Sequence, residues 1–406
     1  MQRGVVIIGA GHGGSQVGFS LRQERYDGPI HLVSDERDLP YHKPPLSKAY
    51  LKDVSQDVQI LRAEKAYADA RIELALGRNV EAIDRQARAI RFTDGATLAY
   101  DRLVIATGAT NRKLALPGHD LAGLHSIRTR ADAAHLRESM QTAGDIVVIG
   151  GGFIGLEAAA TFAALGRRVT VIELAPTILG RAVSPVVAAH VEAEYRRLGI
   201  RVLTATGIER LEGDAGRVKA VRLMDGTIVP ADLVLVGIGA TPNDALARDA
   251  GLACDNGIVV DETLATADPA IFAIGDVANF PHAHAGRRVR LESVQNASDQ
   301  AKHVARTMMG KLEPYRETPW FWSDQGHMKL QMAGLSFGAN RHVRMGAPDE
   351  PAFSVYHYAG DRLLAVDSVN RPGDHMVARR MIAAGISPSE ADLAEGPDRL
   401  KSLIGR

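Results

Sequence analysis

Cysteine is almost absent from this chain: its 406 residues include one, Cys254. A lone thiol excludes an internal disulfide, a cysteine-based zinc site and a self-ligated iron–sulfur cluster, so no oxidising compartment is needed. Aromatic residues are scarce at 5%, which argues against a carbohydrate-stacking platform. Excess charge is missing as well, since 48 Lys and Arg balance 48 Asp and Glu. That balance excludes a nucleic-acid-coating protein and leaves any electrostatic preference to local asymmetry. No apolar run approaches the roughly 18 residues of a membrane span. The first strand starts at Gly4-Val5, leaving no room before it for a signal peptide. A cytoplasmic setting is expected, with neither membrane nor nucleic acid as partner.

What the chain does have is glycine, 40 residues of it, the mark of many tight strand-to-helix turns. Its length suggests two or three domains at roughly 150 residues each. Val5 to Ile8 reads as a buried strand, Gly9 to Gly14 as a glycine turn, and the following stretch to about Arg25 as a helix. A second strand, Ile30 to Val33, runs into Asp35-Glu36 and closes a βαβ block. The pattern returns with strand Ile146 to Ile149, turn Gly150 to Gly155, a helix to Leu165, and strand Val169 to Ile172 before Glu173.

Each block is followed by a similar succession. Asp94-Gly95 joins two short strands ahead of Leu103 to Ala106 and Thr107-Gly108; Asp225-Gly226 joins two more ahead of Leu233 to Val236 and Gly237-Ile238-Gly239. The repetition predicts two homologous dinucleotide-binding domains in an α/β fold. From Trp320 the pattern changes to alternating strands and a helix from Asp374 to Ala384, a smaller α+β domain. The expected division is 1–112 with 241–315, then 113–240, then 316–406.

Gly9, Gly11 and Gly14 form G-x-G-x-x-G between strand and helix. The first allows the tight turn, the second lets backbone approach a pyrophosphate, and the third lets the helix lie against the sheet. Asp35 or Glu36 can then accept from a ribose hydroxyl. Gly150, Gly152 and Gly155 repeat the motif and Glu173 follows at its strand end, so two dinucleotides are implied. An acid there favours NAD over NADP, whose 2′-phosphate would face a carboxylate, while Arg181 nearby could soften the preference. A hydride carrier paired with a second dinucleotide points to a flavin. The glycines alone do not decide which block holds which cofactor.

Further strings carry a resemblance. Ala106-Thr107-Gly108 and Ile274-Gly275-Asp276 look like the FAD half of the two-dinucleotide flavoproteins of glutathione reductase-like fold. Disulfide reductases of that fold carry cysteines after the second strand; here the region reads Pro40-Tyr41-His42-Lys43-Pro44-Pro45-Leu46-Ser47-Lys48, without a thiol. The flavin must therefore reduce its acceptor directly. That segment resembles the P-Y-x-R-P-P-L-S-K signature of the putidaredoxin reductase-like family, the NADH-dependent ferredoxin reductases of oxygenase systems. Gly152 to Glu157, Glu292 to Ala297, Pro319 to Gln325 and Ser368 to Arg371 extend the likeness over nearly the whole chain.

The resemblance implies FAD and NAD as cofactors, a small acidic 2Fe–2S ferredoxin as electron acceptor and an oxygenase beyond it. It places FAD contacts at Gly13, Asp35, Lys48, Val80, Arg128, Asp276 and Val294, with Asp276 on the ribityl chain; as a helix N-cap before Val277, Asp276 has a structural role too. Lys43 stands where the family has Arg. Lys48 and Glu157 resemble the ion pair beside the reactive flavin nitrogen, the catalytic pair; Lys48 lies in an expected helical start, Leu46 to Leu51. Ile154 and Gly239 join the dinucleotide set. Trp320 and Trp322 share a strand face and either wall the flavin or the acceptor's docking site, with Trp322 counted among the cofactor contacts, or fill core. Between Arg287 and Arg344 ten Lys and Arg face five Asp and Glu. Lys302 and Arg306, on an expected helix Ser298 to Met309, could steer an acidic partner. His282 and His284 read as loop histidines, with no metal set. Two other readings stay open: a different acceptor such as rubredoxin, quinone or monodehydroascorbate, and an NADH-sensing binding protein like apoptosis-inducing factor.

Overall fold

The computed structural model describes residues 3–347 and 350–405. The chain divides into two compact units. The first comprises residues 1–42, 59–110 and 241–321, and the second 43–58, 111–240 and 322–406.

The first unit is built on a five-stranded parallel sheet in the order Ile271–Ala273, Arg102–Ile105, Val5–Ile8, Ile30–Val33, Ile72–Ala75. Its central strands are buried throughout and apolar except for His31, as a sheet covered on both faces requires. Helix His12–Gln23 follows the first strand. An antiparallel meander, Val80–Asp84, Ala89–Phe92, Thr97–Ala99, provides the crossover. Asp94-Gly95 turns its second hairpin as expected, with Gly95 at φ +81°.

The second unit repeats this plan. Its parallel sheet runs Arg201–Leu203, Arg168–Ile172, Asp145–Ile149, Leu233–Val236, Leu124–His125, and its meander is Ile208–Asp214, Arg217–Leu223, Ile228–Pro230. Four strands of each sheet match in order and direction, which is the repeat seen in the sequence; the fifth differs, since in chain order Ile271–Ala273 comes last in its unit's sheet and Leu124–His125 comes first in its own. The unit also carries an antiparallel sheet, Trp320–Gln325, Met328–Gly334, Arg362–Val369, Phe353–Ala359, Arg341–Met345, whose first strand enters it at Trp322. Helix Pro372–Ala383 packs on this sheet through Val377, Ala378 and Met381, against Tyr356, Tyr358 and Val366.

Three local expectations need correction. The helix expected from Ser298 spans Val294–Met308, because the Ser293 hydroxyl accepts the Asn296 N–H and caps it four residues earlier. The expected helical start Leu46 to Leu51 is two short pieces, a 3-10 turn Pro44–Ser47 and a turn Ala49–Lys52. Lys48 separates them at φ −129°, ψ −103°. Asp276 is not an N-cap: it sits inside the 3-10 turn Gly275–Val277, whose N-cap is Ile274.

Candidate functional site

The two glycine turns have the same geometry, each at the C-terminal end of the middle strand of its parallel sheet, where such sheets bind ligands. Gly9 takes φ +104° and Gly150 φ +105°. A β-carbon at Gly9 would lie 2.2 Å from the Ala106 carbonyl oxygen, and one at Gly150 would lie 2.4 Å from that of Gly237. The third glycines bring the helix onto the turn: β-carbons at Gly14 and Gly155 would meet the Gly9 and Gly150 oxygens at 1.8 and 2.6 Å. Gly11 and Gly152 differ from these. A β-carbon on either has nothing within 4 Å. No packing demands glycine at those two positions, and each leaves a backbone cradle open at a helix N-terminus, which fits a pyrophosphate. Gly13 instead packs on Ile274 and Ala297.

Around the second turn, Glu173 ends its strand with both carboxylate oxygens in use. Oε2 accepts the Gly151 N–H at 2.6 Å and Oε1 the Ala175 N–H at 2.7 Å, which ties the acid to the glycine loop. Gly239, at φ +101°, accepts the Arg112 N–H at 3.0 Å. Ile154 is 47% exposed at the start of helix Phe153–Ala164, and Arg181 is exposed. Around the first turn, Asp35 is exposed, while Glu36 accepts from the Tyr41 hydroxyl at 2.5 Å. Ala106-Thr107-Gly108 is held by Asn243: Thr107 Oγ1 donates to its carbonyl at 2.8 Å, and its Nδ2 donates to the Thr107 carbonyl at 2.9 Å. Val80 is buried at the head of its strand, and Val294 opens its helix. Asp276 follows strand Ile271–Ala273 on the same sheet edge.

The second unit holds Lys43, Lys48, Arg128, Glu157 and Trp322. Lys43 Nζ donates to the Arg128 carbonyl at 3.4 Å, and Trp322 is half-buried. Lys48 Nζ stands 2.9 Å from Glu157 Oε1 and 3.6 Å from Asp324. Its side chain is 20% exposed and that of Glu157 only 7%, so the pair is largely withdrawn from solvent. Glu157 takes two further hydrogen bonds, from the Ser47 hydroxyl at 2.7 Å to Oε2 and from the Ser323 hydroxyl at 2.5 Å to Oε1. Gln325 Nε2 donates to Ser323 Oγ at 2.7 Å, and the Tyr195 hydroxyl contacts Gln325 Oε1. Burial, aided by the Glu157 charge, pushes the Tyr195 phenol well up, so it stays a neutral donor. Buried carboxylates persist where donors saturate them, and this one has three.

Ser47, Ser323, Gln325, Tyr195 and Asn243 were not singled out in the sequence. The one available signal was the period-two spacing of Ser323 and Gln325 on a strand, which puts both on the face opposite Trp322 and Asp324. Cys254 is half-buried and donates toward the Asp244 and Leu252 carbonyls. Burial, then Asp244, raises its thiol. A raised thiol has less of the thiolate that reacts. His282 is not a loop residue: it ends strand Ala278–His282, is buried, and faces the Glu317 carbonyl at 3.3 Å. Among the described residues no group of three or more His, Cys, Asp or Glu could hold a metal. Lys302 and Arg306 do share a helix face, but they line one cavity with Glu24, Asp299 and Glu317, and Lys302 Nζ is 3.1 Å from Asp299. That face is of mixed charge rather than basic. No helix among the described residues is long and apolar enough to cross a membrane.

Comparison with known proteins agrees with this geometry. Residues 3–301 match the family model described as pyridine nucleotide-disulphide oxidoreductase, and residues 320–404 match one described as reductase C-terminal. Rhodocoxin reductase of Rhodococcus erythropolis is 44% identical over 403 residues, covering 99% of this chain and 94% of the relative. The ferredoxin reductase for the CYP199A2 system from Rhodopseudomonas palustris superposes with a TM-score of 0.97 at 42% identity, over 99% of this chain and 100% of that one. The reductase in a covalent putidaredoxin reductase–putidaredoxin complex does so with a TM-score of 0.95 at 40% identity, over 100% and 98%. With two dinucleotide turns, no thiol beside either and relatives matched from end to end, the chain belongs to the pyridine nucleotide-disulphide oxidoreductase family, among its ferredoxin reductases.

Proposed function

We propose that this protein passes electrons from NADH through FAD to a small acidic 2Fe–2S ferredoxin that serves an oxygenase, in the cytoplasm. The observation that carries the reading is the pair of open glycine cradles, Gly11 and Gly152, on two matching parallel sheets. FAD and NAD are the cofactors of this family, and FAD supplies the chemistry of accepting an electron pair and releasing it singly.

In this reading Gly9 to Gly14, Thr107, Asp276 and Val294 hold FAD, whereas Gly150 to Gly155, Glu173 and Gly239 hold NADH. The domain division 1–112 with 241–315, 113–240 and 316–406 follows the same assignment. Glu173 orients the adenosine ribose and disfavours a 2′-phosphate. Lys48 offers its ammonium as a hydrogen-bond donor to the flavin edge, while Glu157, anchored by Ser47 and Ser323, fixes where that ammonium sits. Trp322, Lys43, Arg128, Val80 and Asp35 complete the FAD contacts. No side chain acts as a nucleophile, and Cys254 takes no part.

The test is anaerobic mixing of the yellow holoenzyme with NADH, followed by addition of 2Fe–2S ferredoxin, rubredoxin, quinone or ferricyanide. Bleaching by NADH and fast recovery with two equivalents of ferredoxin are expected. A colourless protein, or a reduced flavin that ferredoxin leaves untouched, would overturn the reading.

A further inference from the structure

Strand Ile271–Ala273 delivers its chain to the C-terminal edge of the first unit's sheet, and the single 3-10 turn Gly275–Val277 follows. From Ala270 to Phe280 every residue is buried except Asp276. A short turn of this kind has no periodic hydrogen-bond ladder of its own to fix where that one side chain points. Two later segments hold the backbone on either side of it.

Gln300, on helix Val294–Met308 and fully buried, accepts the Gly275 N–H on Oε1 at 2.7 Å. Arg290 donates from Nη1 to the Asp276 carbonyl at 2.9 Å. The Arg290 side chain is only 9% exposed and is itself held by Glu292 at 2.6 Å and Asn256 at 3.3 Å. Gly257, at φ +118°, makes room for this arrangement, since a β-carbon there would lie 2.5 Å from the Val277 carbonyl oxygen and 3.0 Å from Arg290 Cδ. The turn is therefore gripped at the N–H that enters Asp276's neighbour and at the carbonyl that leaves Asp276 itself. The Gln300 grip is buried and the Arg290 grip part-buried, and the latter is charge-assisted, the stronger class of hydrogen bond.

We propose that Gln300 and Arg290 are positioning residues for Asp276 and set how tightly FAD is held. The inference rests on the reading above that Asp276 contacts FAD, and deepens it. Neither residue touches the cofactor in this account; each acts through the backbone of the turn. Losing either removes one of two grips on the backbone that carries Asp276, so the cost falls on affinity rather than on the electron-transfer step.

The experiment follows FAD release from full-length holoenzyme on dilution, by flavin fluorescence, for the wild type, Arg290→Met, Arg290→Lys and Gln300→Leu. Loss of a charged or buried hydrogen bond predicts an affinity lower by about tenfold or more in Arg290→Met and Gln300→Leu. Arg290→Lys, which keeps a cationic donor, should recover most of it. NAD affinity of the same proteins should be unchanged, a result that general unfolding would not give. If Gln300→Leu does not fold, the contrast between Arg290→Met and Arg290→Lys decides. Variants that retain FAD like the wild type overturn the proposal. A wild type that never binds FAD overturns the underlying reading instead.

Discussion

Lys48 carries its ammonium to 2.9 Å from Glu157 Oε1, and it does so from the one residue that breaks the helical course between Pro44 and Lys52. The break matters because it turns successive side chains, Ser47 and Lys48, onto the two oxygens of one carboxylate. A continuous helix separates neighbouring side chains by about 100° and would not do this.

Removing the ammonium should therefore slow flavin reduction without unfolding the protein. Lys48→Met is expected to lower the rate of reduction by saturating NADH at least about tenfold, the scale of losing one preorganised donor. Stopped-flow absorbance measures it, and an unchanged rate would end the catalytic assignment.

The glycines divide into positions that packing requires and positions that it leaves open. Gly14→Ala should destabilise or prevent folding, since its β-carbon would sit 1.8 Å from the Gly9 oxygen. Gly11→Ala and Gly152→Ala meet nothing in the protein and should leave the melting temperature of cofactor-free protein within about 2 °C of the wild type, the shift expected for a few tenths of a kcal/mol. They should weaken FAD and NADH binding respectively. Thermal melts beside cofactor titrations separate the two classes.

Glu173 binds its own loop through both oxygens, so Glu173→Ala removes two hydrogen bonds and a negative charge together. The KM for NADH should rise and the preference over NADPH should fall by about tenfold, with kcat little changed. Steady-state kinetics with both nucleotides would show this; a preserved preference would mean that discrimination lies elsewhere.

Stability should weaken in mild acid. Burial, reinforced by Arg379, holds the His375 imidazole down at about 4, against about 6.5 in an unfolded chain. Between those values the unfolded state binds the extra proton, so stability is full above pH ~6.5 and declines as pH falls toward ~4, by roughly 3 kcal/mol at most. His282 and His303 are lowered by burial too and act in the same direction. Melting curves across this window should be steeper for the wild type than for His375→Gln; parallel curves would rule out His375 as the source.

The duplicated α/β plan, both glycine turns, the hairpin glycines and the lack of a thiol beside either turn were all legible in the sequence. Each is written in neighbouring residues: apolar strand runs, glycine where a turn needs positive φ, and a single thiol. The pairing of Lys48 with Glu157 came from resemblance, because 109 positions separate them and no local pattern joins them. What surrounds that pair, Ser47, Ser323, Gln325 and Tyr195, was decided only when strands and helices packed. So were the grip of Gln300 and Arg290 on the Asp276 turn and the acids that line one cavity with Lys302 and Arg306. Hydrogen bonds between distant segments depend on where the fold places their backbones, and period and composition carry no record of that. Local chemistry wrote the two nucleotide cradles, and tertiary packing chose which buried groups hold their side chains in place.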